Sequence, residues 1–89
     1  MQTEMRATIK NSNGIHLRPA VMISELASGF SSRIRLIKES ENTEADAKST
    51  IDILGLGLNS GDSICVRALG PDSREAAKQV KEMMENITD

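Results

Sequence analysis

Tryptophan and tyrosine are absent from this chain, phenylalanine occurs once, histidine once, and Cys65 is the only cysteine. Without aromatic rings there is no cage for a quaternary cation and no platform on which bases stack. The formal net charge of -2 and a pI near 5.4 give no broad attraction to a phosphate backbone, so nucleic acid is not an expected partner. One cysteine excludes an internal disulfide, and with no second cysteine or histidine at ligand spacing around it neither a metal nor another cofactor is expected. The start, Met1-Gln2-Thr3-Glu4, has neither a basic leader nor an apolar run of signal-peptide length, and no stretch approaches the roughly 18 apolar residues of a membrane helix. The expectation is a cytoplasmic protein without a membrane partner.

What is present is an aliphatic, methionine-containing composition. Apolar residues make up 38% and charged residues 27% of 89 positions, enough for one core and no more, so residues 1–89 are expected to form a single domain. A monomer is expected. Met5, Ala7 and Ile9 alternate with Arg6, Thr8 and Lys10, which predicts a first strand over Glu4 to Lys10. Asn11-Ser12-Asn13-Gly14 has turn chemistry. Pro19 is tolerated only in the first turn of a helix, where its missing N–H would have had no partner, so a helix is expected over about residues 17 to 28 with Gly29 as its C-terminal cap. Its stripe is Ala20, Ile23 and Ala27, flanked by Val21 and Leu26.

Arg33 to Lys38 alternates as a second strand, a charged turn follows through Glu39, Ser40, Glu41 and Asn42, and Thr43 to Asp46 reads as a short third strand. Glu39, Glu41 and Glu44 are expected to be a solvated hairpin. Ser49 has the place of an N-cap with Asp52 as its reciprocal partner, and Gly55 and Gly57 end that short helix. Ile64, Val66 and Ala68 alternate with Ser63, Cys65 and Arg67, predicting a fourth strand over Asp62 to Leu69. Asp72 with Glu75 then caps a last helix striped by Ala76, Val80, Met83 and Ile87. The order is βαββαβα. Each helix has one apolar stripe and each strand one apolar face, which demands two layers, an open-faced α+β sandwich.

The only histidine, His16, falls at the mouth of the first helix. The leading N–H groups of a helix have no intrahelical acceptor and its macrodipole is positive there, so such an end binds anions, phosphate among them. Pro19 has no N–H, which leaves donation to a group on His16 to Leu17, Arg18 or the next turn. Arg18 adds a planar cation suited to phosphoryl oxygens. Position alone fits two readings equally: a nucleophile with its clamp, or a polar cap beside a surface arginine. Cys65 lies on the strand face opposite Ile64 and Val66 and reads as a small packing or surface residue. The Gly55-Leu56-Gly57 pair lacks the third glycine, the Lys-Ser pair and the preceding strand of a nucleotide loop.

The run Asn13-Gly14-Ile15-His16-Leu17-Arg18-Pro19-Ala20 closely resembles the active-site signature of the HPr family of histidine phosphocarrier proteins, and Ala47-Lys48-Ser49 followed by Leu54-Gly55-Leu56-Gly57 is similar to that family's regulatory-serine segment. The resemblance covers the whole chain. It implies a four-stranded antiparallel sheet covered on one face by three helices. It further implies a carrier that accepts a phosphoryl group from phospho-enzyme I on Nδ1 of His16, with Arg18 stabilising it, and passes it to EIIA-type domains of the sugar phosphotransferase system. Leu17, Ala20, Thr50, Ile51 and Leu54 carry over as partner-binding residues, and Ser49 as a target for a serine kinase and phosphorylase. Leu17 replaces the small residue more often found there, and Thr50 replaces a larger apolar one. The alternative within the same family is a regulator, of a nitrogen-type branch or under a serine kinase, that acts by binding partners.

Overall fold

The computed structural model describes residues 1–88. Its elements run β1 (Gln2–Thr8), α1 (Leu17–Ser28), β2 (Arg33–Lys38), β3 (Thr43–Asp46), α2 (Thr50–Gly55), β4 (Ser63–Leu69) and α3 (Ser73–Glu85), the expected βαββαβα order. The four strands form one antiparallel sheet in the order β1-β4-β2-β3. β4 and β2 are the inner strands, and each has a buried apolar face: Ile64, Val66 and Ala68 on β4, Ile34 and Leu36 on β2.

One face of the sheet contributes Ala7, Ile34, Leu36, Ala45, Ile64, Val66 and Ala68 to a core completed by Ala20, Ile23 and Ala27 of α1, Ile53 of α2 and Ala76, Ala77, Val80 and Met84 of α3. The opposite face carries a row of cross-strand neighbours, Glu4, Arg67, Arg35 and Asp46. Arg67 Nε lies 2.6 Å from Glu4, Arg35 pairs with Glu44 and Arg6 with Glu39. Exposed to water and salt, these pairs add little to stability. The hairpin glutamates are therefore ion-paired rather than only solvated, since Glu41 also reaches Lys38.

Several expectations need correcting. β1 spans residues 2–8 rather than 4–10, because its ladder with β4 runs from Gln2↔Leu69 to Thr8↔Ser63 and β4 itself starts at Ser63. Ile9 is still fully buried, but its N–H donates to the carbonyl of Asp62 and its own carbonyl accepts from Gly61 N–H, so a turn takes over from the ladder. Gly29 caps α1 in a right-handed conformation that needs no glycine. Ser49 Oγ accepts from Asp52 N–H at 3.2 Å as expected, but the Asp52 carboxylate accepts from Asp46 N–H, so the reciprocal half of the box is not made. Asp72 holds the N-cap position of α3 without capping it: its carboxylate accepts from Ser31 N–H, Ser32 N–H and Ser32 Oγ–H. Those bonds hold its pKa below the usual carboxylate value, the Ser32 hydroxyl acting most strongly.

Candidate functional site

The segment that delivers His16 is pinned before α1 begins. Gly14 has φ +66, and a Cβ there would stand 2.4 Å from the Leu58 carbonyl oxygen, so glycine is required twice over, by conformation and by contact. Asn11 Nδ2 donates to the Gly14 carbonyl at 2.7 Å, and Ile15 N–H donates to the Leu58 carbonyl at 3.0 Å. Ile15 is buried. The next residue, His16, is exposed and sits at the N-cap of α1 with extended backbone, where its carbonyl accepts the Ala20 N–H at 3.1 Å.

The His16 side chain makes no capping hydrogen bond to the helix. The cap at this end is the His16 backbone carbonyl and not its side chain. The amides of Leu17 and Arg18 head the helix, where geometry supplies no intrahelical acceptor. Pro19 follows, buried. His16, Arg18, Pro19 and Met22 form one wall of an open depression of about 530 Å³, and Met83, Asn86, Ile87 and Thr88, at the end of α3, form the other. Arg18 thus shares the hollow with His16. A phosphoryl group there would meet a helix N-terminus and a guanidinium, the two supports that stabilise equatorial oxygen charge in phosphoryl transfer.

The α3 wall escaped the sequence reading, which assigned Met83 and Ile87 to the core stripe. Both are half-buried, so the stripe extends past the sheet into the hollow. Spacing alone carries no signal for that, because it depends on how far α3 overhangs α1. Met22, on the α1 wall, is 43% exposed.

The expected partner-binding residues divide. Leu17 and Ile51 are open to solvent, 62% and 81% exposed, and Leu54 is exposed as well. Thr50 is half-buried, its hydroxyl 2.7 Å from that of Ser24, which joins α2 to α1. Ala20 is a correction: it is fully buried within the core, so its side chain can touch no partner. Ser49 is half-buried on its own helix and is not part of the His16 hollow. Cys65 is buried, and burial, aided by Glu4 and Glu39, pushes its thiol pKa up, away from the reactive thiolate. Among the described residues no group of three or more His, Cys, Asp or Glu is placed to hold a metal, and no helix is long and apolar enough to cross a membrane.

Comparison with known proteins agrees with this geometry. A family model described as the PTS HPr component phosphorylation site matches residues 3–86. The phosphocarrier protein HPr of Mycoplasma genitalium is 37% identical over 82 residues, 92% of each chain. The phosphocarrier protein NPr of Escherichia coli K12 is 39% identical over 80 residues, 90% of this chain and 88% of its own. A multiphosphoryl transfer protein of Xanthomonas campestris is 41% identical over 81 residues, but the chain spans only 9% of its length. The crystal structure of HPr from Thermoanaerobacter tengcongensis superposes with a TM-score of 0.85 at 37% identity, covering 93% of this chain and 91% of that one. Fold, helix-mouth histidine and relatives converge, and the chain belongs to the HPr family of phosphocarrier proteins of the phosphotransferase system.

Proposed function

We propose that His16 is the residue that carries the phosphoryl group, taking it from phospho-enzyme I and giving it to an EIIA-type domain. The observation that carries this is the exposed His16 imidazole at the mouth of α1 with Arg18 lining the same hollow. In the accepting step a lone pair on an imidazole nitrogen, Nδ1 by resemblance, forms the new bond to phosphorus as the bond to the donor breaks and the donor keeps that pair. The Leu17 and Arg18 amides and the Arg18 guanidinium hold the oxygens of the moving group. The donating step runs the same way in reverse. Leu17, Ile51 and Leu54 form the docking surface beside it, Thr50 contributes its exposed edge, and Ser49 is a regulatory phosphorylation site for a serine kinase. The chain acts as one cytoplasmic domain over residues 1–89, as a monomer and without a cofactor.

A second reading gives the same carrier a place in a nitrogen-type regulatory branch, and the 39% identity to a protein named NPr supports it. Mass spectrometry at neutral pH tests the main reading. With phosphoenolpyruvate and enzyme I the wild type gains one acid-labile phosphoryl group and His16→Ala gains none; labile label on the alanine variant would overturn the assignment. Offering the charged protein to sugar-type and nitrogen-type EIIA domains, and timing the loss of label, separates the branches.

A further inference from the structure

Lys38, the last residue of β2, is a buried cation that the phosphoryl chemistry does not use. Its side chain is 7% exposed. The ammonium lies 3.1 Å from the Gly57 carbonyl oxygen and 3.4 Å from that of Leu56, and it faces two carboxylates, Glu41 at 3.2 Å and Asp62 at 3.5 Å. A buried ammonium is tolerated only when it is paired and hydrogen-bonded, and this one has acceptors for all three protons. The hydrogen bond with Glu41 is the largest influence on it and raises its pKa, so the charge is permanent at neutral pH.

The four acceptors come from two places: the hairpin tip, and the loop between α2 and β4. That loop is the platform on which the His16 segment rests. Leu58, one residue beyond the Gly57 carbonyl, accepts the Ile15 amide and lies against Gly14. Asp62, besides facing Lys38, accepts the Asn59 amide at 2.8 Å through its carboxylate and the Ile9 amide at 2.9 Å through its carbonyl. Residues 9, 14 and 15 are therefore hung on residues 58 and 62, and 57 and 62 are held by one ammonium. His16 is the next residue along.

We infer that Lys38 is a positioning residue for the His16 site: it fixes the 56–62 loop at the height from which Gly14 and Ile15 present the imidazole. Misplacement of a reacting group by about 1 Å can cost up to about a hundredfold in rate, so a loosened platform slows chemistry even where the fold survives. Of the docking residues only Leu54 is bonded to this loop, its carbonyl accepting the Gly57 N–H at 3.2 Å, while Leu17 and Ile51 sit in the first turns of their own helices, so affinity for the donor should hold. The inference rests on His16 being the phosphorylated residue, but one of its readouts does not.

The test compares wild type with Lys38→Met, which keeps the length and removes the donors, and with Lys38→Arg, which restores them. In single-turnover transfer from phospho-enzyme I, Lys38→Met should show a saturating rate about tenfold lower with a half-saturating donor concentration within about twofold of wild type, and Lys38→Arg should recover most of the rate. A lysine that merely holds the fold together would lower the melting temperature and leave the saturating rate of folded protein untouched; that result overturns the inference. Independently of any transfer, amide exchange at Ile15 should quicken by about tenfold in Lys38→Met while Val66 keeps its protection. Unchanged exchange at Ile15 would overturn the inference even if His16 is the nucleophile. A wild type that takes no label, with Ile15 exchange quickened as stated, would instead count against the proposed function alone. Should Lys38→Met not fold, Asp62→Asn, which removes one of the two carboxylates facing the ammonium, is read by the same rate and exchange criteria.

Discussion

The hydroxyls of Ser24 and Thr50 lie 2.7 Å apart and join α1, which His16 heads, to α2, which Ser49 caps. Ser24 also donates to the Val21 carbonyl at 3.0 Å, so with that proton spent Thr50 is the donor of the shared bond. Position 50 thus exchanges apolar surface for a hydrogen bond that ties α2 to α1, the helix that His16 heads.

Thr50→Val keeps shape and loses the bond. Ser24 keeps its own contact with Val21, so no group is stranded and the cost should be about 1 kcal/mol, a fall in melting temperature of roughly 4–8 °C. A double-mutant cycle with Ser24→Ala should return a coupling of about 0.5 kcal/mol or more by denaturant unfolding. Strict additivity would mean that the contact contributes nothing.

Aliphatic alternation made the elements legible, because Ile64, Val66 and Ala68, or Ala20, Ile23 and Ala27, have only one arrangement that buries them together. His16 and Arg18 were legible as a pair because their place is set by chain-local features, a glycine turn before and a proline after. The end of β1 was not, since its partner strand decides where a ladder stops. Nor was the destination of a polar side chain that has two choices of comparable energy. Asp72 could have bonded its own helix but accepts from Ser31 and Ser32, about 40 residues earlier in the chain, and Lys38 reads only as the end of a strand until the 56–62 loop closes over it. The Met83, Asn86, Ile87 and Thr88 wall depends on the packing of two helices far apart in sequence.

Asp72 makes stability depend on acid. Its folded pKa lies below the ordinary 3.8, so its stabilisation is fully present above that value and is lost as pH falls through the folded one. Glu85, lowered first by the Lys81 hydrogen bond and then by the Thr8 amide, adds in the same direction. Asp72→Asn, whose amide opposes donors with a donor, should melt clearly lower than wild type near pH 7, and the gap should narrow as the pH falls below 3.8 and through the lowered folded pKa, where the wild-type carboxyl becomes neutral as well. A gap that stays constant with pH would show that the carboxylate charge is immaterial.

Arg18 should act on the moving group more than on the partner. Arg18→Ala is expected to fold, since the side chain is exposed at the first turn of α1, and to slow single-turnover transfer by about a hundredfold with little change in donor affinity. Arg18→Lys should recover only part, because a point charge lacks the planar fork. Equal rates for Arg18→Ala and wild type would remove it from the mechanism.

Ser49→Asp separates a fold effect from a surface effect at the proposed regulatory site. Ser49 Oγ already accepts from Asp52 N–H, and aspartate is as good an N-cap, so the fold should hold, whereas Ser49→Ala should cost about 1 kcal/mol. The new charge stands beside Thr50 and Ile51, the latter almost fully exposed, on the surface proposed to receive enzyme I. Docking would take that charge out of water without a partner, and a buried unpaired charge costs several kcal/mol. The expected outcome is a melting temperature within about 2 °C of wild type together with His16 phosphorylation by enzyme I slowed about tenfold or more, the loss appearing as weaker donor affinity rather than a lower saturating rate. An unchanged rate, or a slow rate that tracks unfolding, would sink the surface mechanism and leave Ser49 as a helix cap.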